Sequence, residues 1–134
     1  MNNIIELLKI AKNIAIVGIS KDPEKPSYKV AEYLKNNGYK IIPINPNYDE
    51  LLGEKCFKSL TEAPQNIDIV DVFRKSTDIL PIAEEALKIK PKIFWMQLGI
   101  ENREARELLE KSGIMVVENS CIKIFHNNNK ELLK

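Results

Sequence analysis

The sequence predicts an α/β domain, a doubly wound parallel sheet of about five strands with helices on both faces. Three observations lead there. Short β-branched runs alternate with amphipathic stretches along the chain. Several runs are apolar at every position, as strands covered on both faces are. The breaks between them carry Gly, Pro and Asn, the residues that turn a chain. Right-handed crossovers between such strands give a three-layer, Rossmann-like arrangement.

Within an N-terminal segment 1–13, Ile4, Ile5, Leu7, Leu8 and Ala11 have helical spacing. Strand one is Ile14-Ala15-Ile16-Val17-Gly18. A loop with two prolines, 19–26, leads to a helix from Ser27 to Asn37, with Val30, Ala31 and Leu34 on one side. Gly38 follows where a helix end favours a left-handed residue. Strand two is Lys40 to Ile44, and Pro43 argues for a less central place, since it donates no ladder bond. Residues 45–67 read as irregular, with a short extended piece at Lys55-Cys56-Phe57. Strand three is Ile67 to Phe73. Ser76 or Thr77 caps a helix to about Ile89, which Pro81 delays. Strand four is Lys92 to Met96, a helix covers Asn102 to Lys111, and strand five is Ile114 to Val117. The tail 127–134 reads as flexible or weakly helical.

The totals narrow the function classes. At 134 residues the chain has the size of one domain, 1–134, able to bury a core without staples. Lys plus Arg is 20 against 19 Asp plus Glu, so the net charge is +1 and neither nucleic acid nor an acidic membrane is an expected partner. Two cysteines do not make a disulfide scaffold and suit a reducing compartment. The N-terminus carries Glu6 and Lys9 inside its apolar stretch, unlike a signal peptide, and no apolar run approaches membrane length. The expected location is the cytoplasm.

In a doubly wound sheet the ligand sits beyond the carboxyl ends of the strands, where the strand order reverses. After strand one, Gly18-Ile19-Ser20-Lys21-Asp22-Pro23 keeps only the first glycine of a dinucleotide fingerprint. Ser20 offers a hydroxyl, the helix opening near Ser27 offers free amides, and Lys21, Lys25 and Lys29 add positive charge; together they suit a phosphate as well as they suit a plain surface loop. After strand two comes Asn45-Pro46-Asn47, with no acid until Asp49, which argues against NAD. Phe73-Arg74 after strand three reads equally as a ligand wall beside a cation and as a core ring beside a surface ion pair. Asp71, inside an apolar run, is expected to be paired if buried, or more remotely to serve as an acid catalyst. After strand four, Gln97 presents both a donor and an acceptor, while Trp95 is more at home in the core. Cys121 and His126 lie five apart without a third member, so a nucleophilic dyad is the lesser reading, and no spacing suggests a metal site.

These strand-end residues resemble the small CoA-binding domain proteins, the YccU-like group. The resemblance is carried by Ile16-Val17-Gly18-Ile19-Ser20, Lys25-Pro26-Ser27-Tyr28, Ile42-Pro43-Ile44-Asn45-Pro46, Asp68 to Arg74, Trp95-Met96-Gln97-Leu98-Gly99, and Cys121 with Lys123 and His126. It runs from about Ile14 to His126. It implies coenzyme A as ligand and a site formed by Gly18, Ser20, Lys25, Ser27, Asn45, Pro46, Phe73, Arg74, Met96, Gln97, Asn119 and Cys121. Two positions depart from the family pattern: Phe125 replaces an acid before the histidine, and Ile122 a proline after the cysteine. The same fold forms the CoA-binding domain of acyl-CoA synthetases of the succinyl-CoA type, whose other domains carry the phosphorylated histidine and the ATP site. The expectation is a CoA- or acyl-CoA-binding protein with no reaction of its own. The alternatives are an NAD(P)-binding oxidoreductase-like domain and a non-catalytic subunit. A protein partner or homodimer is left open.

Overall fold

The computed structural model describes residues 2–64 and 66–134, with the side chain of Asn2 excepted. The expected segment 1–13 and the irregular stretch 45–67 are therefore seen without Met1 and Gln65, which lie outside the described residues. Helix α1 (Asn2–Ile10) precedes strand β1 (Asn13–Val17), helix α2 (Pro26–Asn36) and strand β2 (Lys40–Ile44). A small antiparallel pair follows, β3 (Glu50–Leu51) and β4 (Glu54–Lys55). Then come β5 (Ile69–Val72), α3 (Ile79–Ile89), β6 (Ile93–Met96), α4 (Arg103–Lys111), β7 (Met115–Val117) and α5 (Ile122–Asn128).

The main sheet has the order β2-β1-β5-β6-β7, and every pairing in it is parallel. This is the doubly wound α/β sheet that alternating strands and helices predict. The chain runs from β1 outward to β2, then returns to the other side of β1 with β5. The order reverses at the β1/β5 boundary, which is the switch point.

The apolar runs split cleanly between the two faces. Ile14 and Ile16 of β1, Ile69 of β5 and Trp95 of β6 pack toward α1, α2 and α5, with Leu8, Val30, Leu34 and Ile122. Ala15, Val17, Val70, Val72, Phe94 and Met96 face α3 and α4, with Ile79, Ala83 and Leu109. Both sides of the central strands are dry, which is why those segments are apolar at successive positions.

Pro43 lies on an edge strand, as its missing N–H requires. Its carbonyl accepts the Phe57 amide at 2.9 Å, so the extended piece around Phe57 bridges that edge in parallel. Pro81 delays α3 as expected: a 3-10 turn, Ser76–Asp78, precedes regular helix at Ile79. Neither Ser76 nor Thr77 caps it. The Ser76 hydroxyl instead accepts the Glu101 amide at 3.1 Å, tying the β5 and β6 loops together. Of the two expectations for the tail 127–134, weak helix is the one the structure shows, and a regular helix before it is new. Residues Ile122–Asn128 form α5 and Lys130–Leu133 a 3-10 turn. The helix forms because Ile122 and His126, four apart, bury against α2 and the sheet. Among the described residues no helix is long and apolar enough to cross a membrane.

Candidate functional site

The site is built where β1, β5 and β6 end. Gly18 closes β1 with φ +82°, and its amide donates to Ile44 O at 3.0 Å. A Cβ at this position would stand 2.6 Å from Phe73 O and 2.8 Å from Arg74 Cδ. Only glycine allows the first turn to lie so close to the end of β5. The absent side chain thus brings two strand ends together at the switch point.

Two clefts open on either side of this contact, and Arg74 lines both. One, of about 300 Å³, is walled by Gly18, Pro46, Lys58, Ser59, Arg74 and Thr77 on the α3 side. Asp78 and Glu85 also line it, and Asp78 pairs with Arg74 at 3.3 Å. The other, of about 430 Å³, is mostly apolar: Val30, Phe73, Leu98, Ile100 and Ile124, with Gln97 and Cys121. Phe73 both packs against the core and lines the apolar cleft. Phe73 is a wall, and Arg74 is a cation in a surface ion pair.

The loops around the clefts are knitted by side chains that the sequence reading placed in the site. The Ser20 amide donates to Ser27 Oγ at 2.9 Å, and Ser20 Oγ accepts the Asp22 amide at 3.0 Å. Asn45 Nδ2 donates to Ile19 O at 2.8 Å while its Oδ1 accepts the Asn47 amide, clasping the β1 and β2 ends. Asn119, in the left-handed region at φ +53°, accepts the Gly99 amide at 2.6 Å. These four shape the site without lining either cleft. Lys25 stands exposed at the N-cap of α2, and no side chain caps that helix.

Met96 departs from the expected site. It is fully buried in the α3/α4 core and lines neither cleft, because strand alternation turns it away from the α2/α5 face. The cysteine and histidine do not form a dyad. Cys121 lines the apolar cleft, whereas His126 Nδ1 lies 2.8 Å from the Tyr33 hydroxyl, its ring edge-on to Tyr33 and Tyr39. Burial, and secondarily Lys130, holds the His126 imidazole below its ordinary value. Phe125, where the family pattern has an acid, packs edge-on against Trp95 at 5.5 Å. Trp95 itself is core, its indole N–H donating to Ser120 O at 2.7 Å.

Asp71 differs from the expectation of a paired carboxyl. It is fully buried on β5 between Ile16 and Trp95, and neither carboxyl oxygen has a hydrogen-bond partner. Burial pushes its carboxyl well above the ordinary value. It lines neither cleft, so it touches no ligand held there. Lys58, Thr77, Leu98 and Ile124 line the clefts but did not stand out in the sequence. Lys58 follows no main-sheet strand, Thr77 lies well beyond the end of β5, and Ile124 lies on a helix where the sequence reading placed no element.

The comparisons agree with this geometry. The CoA binding domain family matches residues 12–127. The Bacillus subtilis (strain 168) protein YneT, itself uncharacterized, is 43% identical over 121 residues, covering 90% of each chain. The Pyrococcus furiosus acetate–CoA ligase [ADP-forming] II subunit alpha is 30% identical over 129 residues, covering 87% of this chain and 28% of its own. The Methanocaldococcus jannaschii acetate–CoA ligase [ADP-forming] is 28% identical, and the chain spans only 19% of its length. Among solved structures, a Thermus thermophilus protein, cell-free ID.343, superposes with TM-score 0.91 at 35% identity over 95% of this chain and 96% of its own. With a match covering most of its length and the switch-point cleft the fold demands, the chain belongs to the CoA binding domain family.

Proposed function

We propose that the chain binds coenzyme A, free or acylated, in the paired clefts over β1, β5 and β6, and catalyses no reaction by itself. The observation that carries the reading is the division of the site at Arg74. Coenzyme A is a polyanion joined to a long, weakly polar arm. A cleft of mixed lining, with Lys58, Arg74 and hydroxyls beside Asp78 and Glu85, next to an almost wholly apolar trough, offers cations for the phosphates and a channel for the arm. No Asp or Glu follows the end of β2 closely enough to take a ribose, which weighs against a nicotinamide cofactor. The separation of Cys121 from His126 supports a binding role. The two free cysteines support a reducing, cytoplasmic setting.

Isothermal titration with coenzyme A, NAD and ATP tests this. The expected result is saturable coenzyme A binding, with neither control bound comparably. Arg74→Ala should weaken it about tenfold or more, since a charge-assisted contact contributes ~1.5–3 kcal/mol. Comparable NAD binding, or no coenzyme A binding, would overturn the reading. Kinship with part of a ligase subunit favours a second role, as a module that works with a protein partner. Co-elution with such a partner in size-exclusion chromatography would establish it.

A further inference from the structure

We propose that Cys121 is a thiol–disulfide exchange site that takes oxidised coenzyme A, the CoA disulfide, and holds one CoA covalently. The inference rests on the binding mode just proposed and adds a modification site and a ligand class to it.

Two independent observations meet in the apolar cleft. The first is Cys121, half-buried on its wall at the N-cap of α5. Its backbone is pinned. The preceding Ser120 donates its amide to Met96 O at 3.3 Å and accepts the Trp95 indole N–H, and Asn119 anchors the turn before that. The second is Gln97, which is only 4% exposed yet lines the same cleft. Its Oε1 accepts the amide of Ile122, the residue next to Cys121, at 3.1 Å. A backbone N–H can only donate, so this bond fixes which end of the amide is oxygen. The Nε2 donor is left over, and among the described residues nothing accepts from it. Nε2 is not shut off from solvent, so it is open to the cleft that Gln97 lines and can donate to a ligand carbonyl there. The pantetheine arm carries two amide carbonyls, and its sulfur lies at the end of that arm. An arm held by Gln97 in this trough brings its sulfur toward Cys121.

The step balances without any further reagent. The Cys121 thiolate attacks one sulfur of the CoA disulfide. A Cys121–CoA disulfide forms, the original S–S bond breaks, and the other CoA leaves as a thiolate that takes up the proton Cys121 released. The Cys121 sulfur is oxidised and the departing CoA sulfur reduced. Free thiol reverses the step. The chain would thereby record the oxidation state of the CoA pool. Cys56 is an internal control, because it is buried, burial raises its thiol, and its sulfur is directed at Asn45 O, 3.5 Å away.

The test is intact-mass analysis and peptide mapping of the native protein after brief exposure to CoA disulfide or to glutathione disulfide. The expected result is one CoA on Cys121, none on Cys56, formed at least ~10-fold faster than the glutathione adduct, because binding holds the sulfur in place. Acetyl-CoA, which has no free thiol, should suppress it, and Cys121→Ser should abolish it. Gln97→Leu removes both the Nε2 donor and the Ile122 anchor, and should slow the CoA adduct several-fold more than the glutathione adduct. Equal rates with the two disulfides, or no protection by acetyl-CoA, would show a merely exposed thiol and overturn the proposal. Titration with reduced coenzyme A separates the two claims. Reduced coenzyme A binding without an adduct sinks the exchange site alone, and absence of both sinks the binding reading as well.

Discussion

At the scale of single residues, the site depends most on a missing side chain. Gly18→Ala must accommodate a Cβ 2.6 Å from a backbone carbonyl at a φ that side chains rarely adopt. We expect a loss of stability of ~1–3 kcal/mol and a larger loss of ligand affinity. Denaturant unfolding together with titration checks both, and an unchanged Gly18→Ala protein would remove the turn from the account. Asp71 makes the opposite prediction. Its carboxyl is unpartnered and buried, and its pKa is raised above 3.8 in the fold. The protonated form is therefore the one the fold prefers. Its favourable contribution is complete below the unfolded value and is lost as pH rises through the folded value. Asp71→Leu should flatten that slope and raise the melting temperature at pH 7 by on the order of 5 °C. A fall in melting temperature at pH 7 would show an ionised, paired Asp71 instead. Neither residue was read alike from sequence. Gly18 ends a strand in a recognisable turn, so its importance was legible. The pairing of Asp71 depends on what the two covering helices bring to it, which no local pattern records.

At the scale of elements, caps and anchors hold the strand ends in place. Asn102 caps α4, its side chain accepting the Ala105 amide at 2.9 Å, and its Nδ2 donates to Ser76 O at 2.9 Å. Asn102→Ala should cost ~1 kcal/mol from the cap and loosen the β5 loop as well. Thermal melts measure the first effect and amide exchange at Thr77 and Asp78 the second. At the opposite, amino-terminal end of the strands, Asp68 accepts the Lys12 and Asn13 amides at 2.9 and 3.0 Å and pairs with Lys92 at 3.0 Å. Partial burial opposes its charge, but these donors outweigh burial and hold the carboxyl below its ordinary value. The stability it contributes is present above the unfolded value and is lost as pH falls through the folded one. Asp68→Asn should therefore cost stability at neutral pH and little in acid, which melts across pH show directly. The helices and strands were legible because their apolar periods are long. Helix α5 was not, because Ile122-Lys123-Ile124-Phe125-His126 is short and only its docking against α2 and the sheet decides its form. Ile124 reaches the cleft only through that docking.

At the scale of the whole molecule, strand order matters more than any motif. Placing β5 beside β1 puts Arg74 against Gly18 and so separates a cleft with charged groups from a mostly apolar one. Alternating elements announced a parallel sheet, but which strands neighbour one another, and hence which loops converge, is set by tertiary packing. Three expected site residues illustrate the limit. Ser20, Ser27 and Asn45 sit at the expected strand ends, and their side chains also hydrogen-bond the neighbouring loops, which no local pattern announces. The chain spans only a fraction of the length of its ligase relatives. The most direct test of where coenzyme A binds is mapping amide chemical shifts as it is added to the native protein. The account predicts shifts at Gly18, Phe73, Arg74, Gln97 and Ile122, with the Asp68–Lys92 pair at the amino ends of the strands unmoved; shifts confined to that far end, or none at the switch point, would contradict it.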